Sequence, residues 1–309
     1  MIYTVTLNPA IDKTVEIPDF QTDTVNRITT LRKDPGGKGI HGSKVIAKLG
    51  GTSRVFAILG QDNADEIQNM LRGDQLECCF TLVPGVTRTN LKVIDPVRHT
   101  NTDINEPGVT VTTADLKRMT ERLIGMIKEG DIVILSGSLP KGAPEDTYST
   151  LVAACKNAGA KVFLDADGPL LADGLKAAPY LIKPNNDELS RLMGKTLETP
   201  EELAATARTF LEQGVEKVIV SMGGRGALYV TKDRTIYAQG LKVPVGSTVG
   251  AGDSVVAALA YAENNDMSLE ETVRLSTATG AANVMQSGTQ AAEYSVIEKL
   301  IERVVFYDL

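Results

Sequence analysis

From about residue 130 onward, short runs of β-branched residues alternate with stretches whose apolar residues recur at the helical period. Residues 131–136 and 161–165 are runs of the first kind, and a helical stretch lies between them. Its apolar face follows the i, i+3, i+4, i+7 pattern at Tyr148, Leu151, Val152 and Cys155. This alternation predicts right-handed βαβ units around a mostly parallel sheet that is flanked by helices.

Residues 199–202 have the sequence pattern of a helix start. Thr199 is a good N-cap residue, and a proline and two acidic residues follow it. The apolar face that continues from there comprises Leu203, Ala207, Phe210 and Leu211. Gly214 ends this helix, and residues 217–221 predict the next strand.

The first part of the chain follows a different pattern. Residues 14–33 and 87–105 alternate polar and apolar positions, with no helical stretch inside either segment. Such alternation predicts strands with one apolar and one polar face, which can pair into a small separate sheet. We assign strands at 1–8 and 53–59, and a helix at 39–49, to the main body. The small sheet is therefore expected to be a discontinuous insertion.

Composition and charge narrow the class of ligand. The 309 residues carry 32 Lys and Arg against 39 Asp and Glu, for a net charge of −7, and there is no Trp. This balance argues against a nucleic-acid surface held by phosphate neutralisation. The longest apolar run, 255–262, is far shorter than the roughly 18 to 20 residues of a membrane span. We therefore expect a small ligand.

The cysteines and the first residues bear on the compartment. The chain has three cysteines, and two of them, Cys78 and Cys79, are adjacent, which suits no disulfide framework. Residues 1–13 lack the basic and apolar regions of a signal peptide. We therefore expect a cytoplasmic protein.

The most informative motif is Ser-Thr-Val-Gly-Ala-Gly-Asp-Ser at residues 247–254, which leads directly into the apolar run 255–262. A glycine turn that opens a helix presents unpaired backbone N–H groups, and the helix dipole adds positive potential there. Gly250, Ala251 and Gly252 thus predict an anion hole, beside which the Asp253 carboxylate could accept a proton from an attacking hydroxyl. This pairing suits phosphoryl transfer. The alternative is that Asp253 only caps a buried helix.

Several other polar turns follow the predicted strands, whereas no P-loop or dinucleotide-binding motif occurs. These turns are residues 136–142, 165–168, 183–188 and 221–226. Ligands of open α/β sheets bind at the carboxyl ends of strands, so these turns and 247–254 are expected to line one crevice. Their acids, bases and amides suit a polyphosphate with a divalent metal. A second glycine cluster, 36–39, opens a helix where Lys38 could face an anion.

Alternation along residues 87–92 places three polar side chains on one face of the small sheet. They are Arg88, Asn90 and Lys92. For Lys92 we expect a solvated position.

Taken in order, these segments resemble the ribokinase/PfkB family of sugar kinases over essentially the whole chain. The segments that carry the resemblance are 6–12, 36–39, 87–92, 105–108, 136–140, 183–185 and 250–253. They are most similar to the branch that phosphorylates hexose phosphates. The resemblance implies a single ribokinase-like α/β domain over 1–309, with a β-sheet lid at about 12–35 and 87–106. It also implies a homodimer clasped through the lid.

The resemblance also implies roles for individual residues. Asp253 would be the catalytic base, with Gly250, Ala251 and Gly252 stabilising the transferred phosphoryl group. The sugar phosphate would contact Asp12, Arg27, Gly37, Lys38, His41, Arg88, Asn90 and Ser138. ATP would contact Lys183, Asn185, Ser221, Gly223, Gly226, Thr248, Asn283 and the rest of the stretch 283–288. Mg²⁺ would be carried by the phosphates near Glu188, and K⁺ could lie beside Ser247 and Val249.

Two positions depart from the family pattern. His41 stands where the family usually has an asparagine that binds the sugar, and Gly42 and Ser43 follow it. An imidazole could replace the amide as a hydrogen-bond donor and could change which sugar fits. Asp167 stands where relatives commonly have serine, so an additional carboxylate faces the crevice.

The resemblance implies ATP-dependent phosphorylation of fructose 1-phosphate to fructose 1,6-bisphosphate. Tagatose 6-phosphate or fructose 6-phosphate remains open as the acceptor. A sugar-phosphate sensor without catalytic activity is the alternative from another functional class. A nucleoside acceptor is disfavoured, because Arg27, Lys38 and Arg88 suit a phosphorylated one.

Overall fold

The structure is a computed structural model that describes residues 1–74, 76–286, 288 and 290–309. Its strands are β1 (Ile2–Thr6), β2 (Ala10–Glu16), β3 (Thr30–Gly36), β4 (Ser53–Gly60), β5 (Glu77–Val83), β6 (Thr89–Asp95), β7 (Thr100–Asn105), β8 (Ile132–Ser136), β9 (Lys161–Asp165), β10 (Leu181–Ile182), β11 (Lys217–Ser221), β12 (Gly226–Val230), β13 (Thr235–Gln239) and β14 (Phe306–Asp308).

The helices are α1 (Lys38–Lys48), α2 (Ala64–Leu71), α3 (Thr113–Ile124), α4 (Thr147–Asn157), α5 (Gly168–Leu175), α6 (Asn186–Met193), α7 (Pro200–Glu212), α8 (Ala251–Asn264), α9 (Leu269–Val284) and α10 (Tyr294–Ile301). Within the described residues, ten strands form a large sheet in the order β14-β13-β12-β11-β10-β9-β8-β1-β4-β5. The strands from β11 to β5 run parallel, and β11 to β14 form an antiparallel edge. The predicted mostly parallel sheet is confirmed.

Helices bury both faces of the large sheet. One apolar core lies between the sheet and the helices α3 to α7, and a second lies between the sheet and α1, α8, α9 and α10. The predicted helical faces of α4 and α7 are buried, since Tyr148, Val152, Cys155 and Leu203 are each less than 2% exposed. The α7 cap is also as predicted, because the Thr199 side chain accepts a hydrogen bond from the Glu202 N–H.

The four remaining strands form the predicted small sheet, in the order β3-β2-β6-β7. β2 is antiparallel to β3 and parallel to β6, and β7 is antiparallel to β6. These strands occupy residues 10–36 and 89–105, and α1, β4, α2 and β5 of the main body lie between the two segments. β3 leads directly into α1, so the small sheet is covalently joined to the helix that carries Lys38.

The strand register gives the small sheet two different faces. Asp12 pairs with Asn90 and Asp34, so the three polar side chains share one face. Leu31 pairs with Val15 and Ile104 with Leu91 on the other face. This second face, which we call the outer face, leaves Leu31 and Ile104 about half exposed.

The solvated position expected for Lys92 is wrong. Its side chain is only 17% exposed, and its Nζ lies 3.8 Å from Asp103 Oδ1. Lys92 shares the polar face with Asp12, because Thr14 pairs with Lys92 across β2 and β6. The strand pairing therefore turns this lysine toward the main body. Among the described residues, no helix is both long and apolar enough to cross a membrane.

Candidate active site

Two adjoining cavities lie at the carboxyl ends of the parallel strands. The first cavity has a volume of about 410 Å³ and lies between the small sheet and the turns after β1, β8 and β9. The second has about 420 Å³ and lies over the turns after β9, β10 and β11. Lys38, Glu188 and Asp253 line both. The predicted turns therefore meet at one edge of the sheet, with Asp253 at the junction of the two cavities.

The structure sorts most of the predicted residues into two groups. The first cavity is lined by Asp12, Gly37, Lys38, His41, Arg88, Asn90, Ser138 and Gly250. The second is lined by Lys183, Asn185, Ser221, Gly223, Gly226, Ala251 and Gly252. The residues expected to contact the sugar phosphate thus lie on one side of Asp253, and those expected to contact ATP lie on the other side.

Three predicted residues lie outside the linings of these two cavities. Arg27 is exposed in the segment between β2 and β3, and Thr248 is exposed in the segment before α8. Asn283 is fully buried behind the glycine turn, where its Nδ2 donates to the Val249 carbonyl at 3.3 Å. Asn283 therefore supports the turn from behind. Within the stretch 283–288, Ser287 is outside the described residues.

The glycine turn opens α8 at the junction of the two cavities. Gly250 adopts φ 80° and ψ −6° as the N-cap of α8, and no side chain caps the helix there. Among the described residues, the Asp253 carboxylate makes neither a capping hydrogen bond nor an ion pair. The capping alternative for Asp253 therefore has no support from the structure. Burial raises the pKa of Asp253 above the ordinary carboxyl value, although Lys38 partly opposes this rise.

A buried carboxylate holds two lysines at the same junction. Asp165 ends β9, and its side chain is 4% exposed. Lys38 Nζ lies 3.0 Å from one carboxylate oxygen, and Lys183 Nζ lies 3.2 Å from the other. Burial alone would raise the pKa of Asp165, but the two lysines together lower it below its usual range. Lys38, which was expected to face a bound anion, is therefore oriented by the Asp165 carboxylate.

The pairing of Asp165 with both lysines is not apparent from the sequence. The sequence feature that could have indicated this pairing is an acidic residue at the end of a predicted buried strand, in the turn that also contains Asp167. Asp167 itself is exposed and lines the first cavity as expected. A buried acid at a strand end calls for a partner, because an unpaired buried charge is costly.

Arg88 places a positive charge in the first cavity, where backbone carbonyls hold its side chain. Its guanidinium donates to three backbone carbonyls, those of Asn8 at 2.9 Å, Glu106 at 3.2 Å and Pro9 at 3.4 Å. In the described part of the chain, no carboxylate forms an ion pair with it. Burial lowers the pKa of Arg88. A partly buried guanidinium held only by carbonyl dipoles is suited to receive an anionic ligand.

The polar face of the small sheet completes the first cavity. Asn90 Nδ2 donates to Asp12 Oδ1 at 3.0 Å, which fixes the carboxylate across the β2–β6 pair. Gly36 lies so close that a Cβ there would stand 2.4 Å from the Asp12 carboxyl carbon. A side chain at position 36 would therefore displace the Asp12 carboxylate from this place.

Glu188 and Asn185 are coupled at the start of α6. The Asn185 side chain accepts from the Glu188 N–H, and Glu188 Oε2 accepts from the Asn185 N–H, each at 2.8 Å. Glu188 still lines both cavities. In the described residues, no cluster of three or more acids, histidines or cysteines could hold a metal by itself. Mg²⁺ usually binds through one or two carboxylates, phosphates and water, so Glu188 fits a metal that arrives with phosphates.

Comparison with known proteins identifies the family. The family model of pfkB carbohydrate kinases matches residues 4–295, and the chain belongs to that family. Over 304 residues it is 37% identical to the 1-phosphofructokinase of Bacillus subtilis, covering 98% of each chain. Over 278 residues it is 40% identical to the 1-phosphofructokinase of Rhodobacter capsulatus, covering 90% of this chain and 88% of that one.

The fold agrees with this assignment. The chain superposes with a TM-score of 0.93 on phosphofructokinase-2 from Escherichia coli, solved in complex with potassium, at 30% identity and with 98% of each chain covered. A ribokinase from Thermotoga maritima matches with a TM-score of 0.79 at 25% identity. The predicted family and the ribokinase-like α/β fold with its small sheet are thus confirmed. The protein is a carbohydrate kinase.

Replacing Asp165 by asparagine should destabilise the protein by about 3 kcal/mol near pH 7, because two lysines would lose their counter-charge at a buried site. Since the pKa of Asp165 is lowered in the folded state, its contribution is present above the ordinary carboxyl pKa and lost as the pH falls through the lowered value. Urea unfolding at pH 7 and pH 3 would measure the difference between the variants.

Asp187→Asn is the matched control, since Asp187 is an exposed acid at the start of α6. Equal stability of Asp165→Asn and Asp187→Asn at pH 7 would contradict the role given to Asp165.

Proposed function

We propose that the protein transfers the γ-phosphoryl group of ATP to the C6 hydroxyl of fructose 1-phosphate, yielding fructose 1,6-bisphosphate and ADP. The observation that carries the proposal is Arg88, a partly buried cation in the first cavity whose hydrogen-bond partners, among the residues that the structure describes, are backbone carbonyls. Such a group favours an acceptor that already bears an anion over a neutral sugar. The relatives named 1-phosphofructokinase support fructose 1-phosphate as that acceptor.

In this proposal Asp253 is the general base. Its carboxylate faces both cavities, so it can lie beside an acceptor hydroxyl on one side and a γ-phosphate on the other. Asp253 takes the hydroxyl proton as the oxygen attacks phosphorus in line with the departing ADP. The N–H groups of the turn 250–252 stabilise the charge on the transferred group. Lys38 adds positive charge, and Asp12 and Asn90 orient the sugar hydroxyls.

The second cavity is proposed to bind ATP. Glycines line it at positions 223, 224, 226, 240 and 280, so a nucleotide can approach the backbone closely. Lys183 lies at the end nearest Asp253 and would contact the phosphates. Glu188 would hold Mg²⁺ together with those phosphates, and the metal would neutralise phosphate charge. The K⁺ site beside Ser247 and Val249 remains a prediction from the family resemblance.

A 6-phosphorylated ketohexose is the second candidate for the acceptor. Phosphofructokinase-2 from Escherichia coli has been solved in complex with fructose-6-phosphate, and this chain superposes on it with a TM-score of 0.91 at 28% identity. Fructose 6-phosphate or tagatose 6-phosphate would present the opposite end of the sugar to Asp253. The same cavity and the same base would serve either orientation.

The substrate assignment predicts a clear ranking of acceptors. ADP formation with Mg²⁺ should give the highest kcat/KM with fructose 1-phosphate, a lower value with tagatose 6-phosphate and fructose 6-phosphate, and the lowest with fructose. Arg88→Leu should raise KM for the sugar phosphate about 10- to 100-fold, the effect of losing charge-assisted hydrogen bonds, and leave KM for ATP nearly unchanged.

Arg122→Leu is the control, because Arg122 is an exposed arginine on α3 outside both cavities. Preference for either 6-phosphate would move the assignment to the second candidate. Preference for unphosphorylated fructose would overturn the role of Arg88, and no turnover with any acceptor would favour a sugar-phosphate sensor.

Asp253→Asn should lower kcat about 10²- to 10⁴-fold while the protein remains folded, because the amide cannot accept the proton. In the wild type, the raised pKa of Asp253 should place the acid limb of the kcat/KM profile above the ordinary carboxyl pKa of about 4. Near-normal turnover by a folded Asp253→Asn variant would show that another group is the base.

We further propose that the protein is a homodimer joined through the outer face of the small sheet. Leu31 and Ile104 expose about half of their surface there, which a partner copy would cover. Sedimentation velocity should give twice the 33.0 kDa of one chain for the wild type, and one chain for the double variant Leu31→Glu, Ile104→Glu. Val305→Glu, which alters an exposed apolar residue near β14, should stay dimeric. A monomeric wild type would refute this assembly.

A further inference from the structure

His41 connects the sugar side of the site to the glycine turn. It lies in the first turn of α1, is 4% exposed, and lines the first cavity. Its Nε2 is 3.1 Å from Ser254 Oγ, which belongs to the first turn of α8. A Cβ on Gly250 would stand only 2.9 Å from that Nε2, so the imidazole packs directly against the Gly250 backbone.

The hydrogen bonds around Ser254 indicate which imidazole nitrogen carries a proton. The Ser254 side chain is fully buried, and its hydroxyl lies 2.9 Å from the Gly250 carbonyl oxygen, to which it can donate. A hydroxyl has one proton, so an Oγ that donates to the carbonyl must accept from His41. This arrangement satisfies both contacts of the hydroxyl. Donation from Ser254 Oγ to His41 would leave the contact between Oγ and the Gly250 carbonyl without a proton, and that carbonyl would keep only the hydrogen bond from the Ser254 N–H at 2.9 Å. The first arrangement therefore has one more hydrogen bond.

We propose that His41 is a positioning residue for the transfer of the phosphoryl group. Its Nε2–H donates to Ser254, Ser254 donates to the Gly250 carbonyl, and this chain sets the orientation of the peptide groups in the turn 250–252. The N–H groups of that turn then point at the position of the transferred group without depending on solvent. This inference rests on the proposed function of the turn.

His41 joins two helices that begin at different parts of the site. α1 begins directly after β3 of the small sheet, and α8 begins at the turn itself. A Cβ built on Gly42 of α1 would lie 3.8 Å from the Ala257 Cβ of α8. The two helices therefore pack closely. The His41–Ser254 contact therefore couples the helix that carries Lys38 to the anion hole through two buried side chains.

The tautomer of His41 can be measured without any substrate. The chain has only two histidines, His41 and His99, and His99 is exposed in the turn after β6. In protein labelled with ¹⁵N-histidine, His99→Asn assigns the two sets of signals. We expect His41 in the Nε2–H form, with a shifted Nε2 resonance in Ser254→Ala. An Nδ1–H form, or an Nε2 resonance unchanged by Ser254→Ala, would overturn the proposal whatever the acceptor is.

Kinetics then separate positioning from simple packing. His41→Leu should lower kcat about tenfold, the effect of one hydrogen bond, with KM for acceptor and for ATP changing less than about threefold. His41→Gln, whose amide can donate in place of Nε2–H, should recover most of that loss. Ser254→Ala should match His41→Leu, and the double variant should be no worse than either single variant, because both remove the same link.

The alternative outcomes are distinct. Losses that multiply in the double variant, or a rise in KM with kcat unchanged, would show that His41 does not act through Ser254. Circular dichroism melting of each variant reports whether a loss of rate reflects unfolding. Failure of every sugar phosphate as acceptor would refute the proposed function, whereas the histidine tautomer would still test the link between His41, Ser254 and Gly250.

Discussion

The site depends on the two ion pairs that the buried Asp165 carboxylate makes with lysines. This carboxylate binds Lys38 from the start of α1 and Lys183 from the end of β10, at the boundary between the two cavities. A carboxylate with little access to water is stable only with compensating charge, and the two lysines supply it. Both lysines are thereby directed to one point beside Asp253. Without this carboxylate, two adjacent ammonium groups would repel each other at the centre of the site.

The same arrangement explains how one carboxylate can remain a base close to two lysines. Burial and the charge of Asp165 raise the pKa of Asp253, whereas Lys38, His41 and Lys183 lower it, and the net direction is upward. The negative charge of Asp165 thus opposes the positive charges that would make Asp253 a weaker base. The cluster therefore contains two acids whose pKa values are shifted in opposite directions. Asp165 stays ionised and holds the two lysines, and Asp253 is suited to accept a proton.

Much of the fold and of the site could be predicted from local sequence. The strand at 161–165, the cap at Thr199 and the glycine turn before α8 depend on residues close together in the chain, through periodicity, capping and backbone freedom. The order of motifs then pointed to the family, and the comparisons agree. The predictions that depended on distant partners fared less well. Lys92 proved to be turned inward, on the face that also carries Asp12.

The element order, the polar turns at strand ends, and the glycine turn with Asp253 as its acidic neighbour could all be predicted from the sequence. These follow from periodicity, glycine backbone freedom and helix-end polarity, all of which act over a few residues. Three sets of contacts became apparent only in the folded chain: those of Asp165 with both lysines, of Arg88 with backbone carbonyls, and of His41 with Ser254. Each of these contacts joins groups 18 to 213 residues apart. Contacts over such separations are set by sheet order and helix packing, which no local pattern encodes.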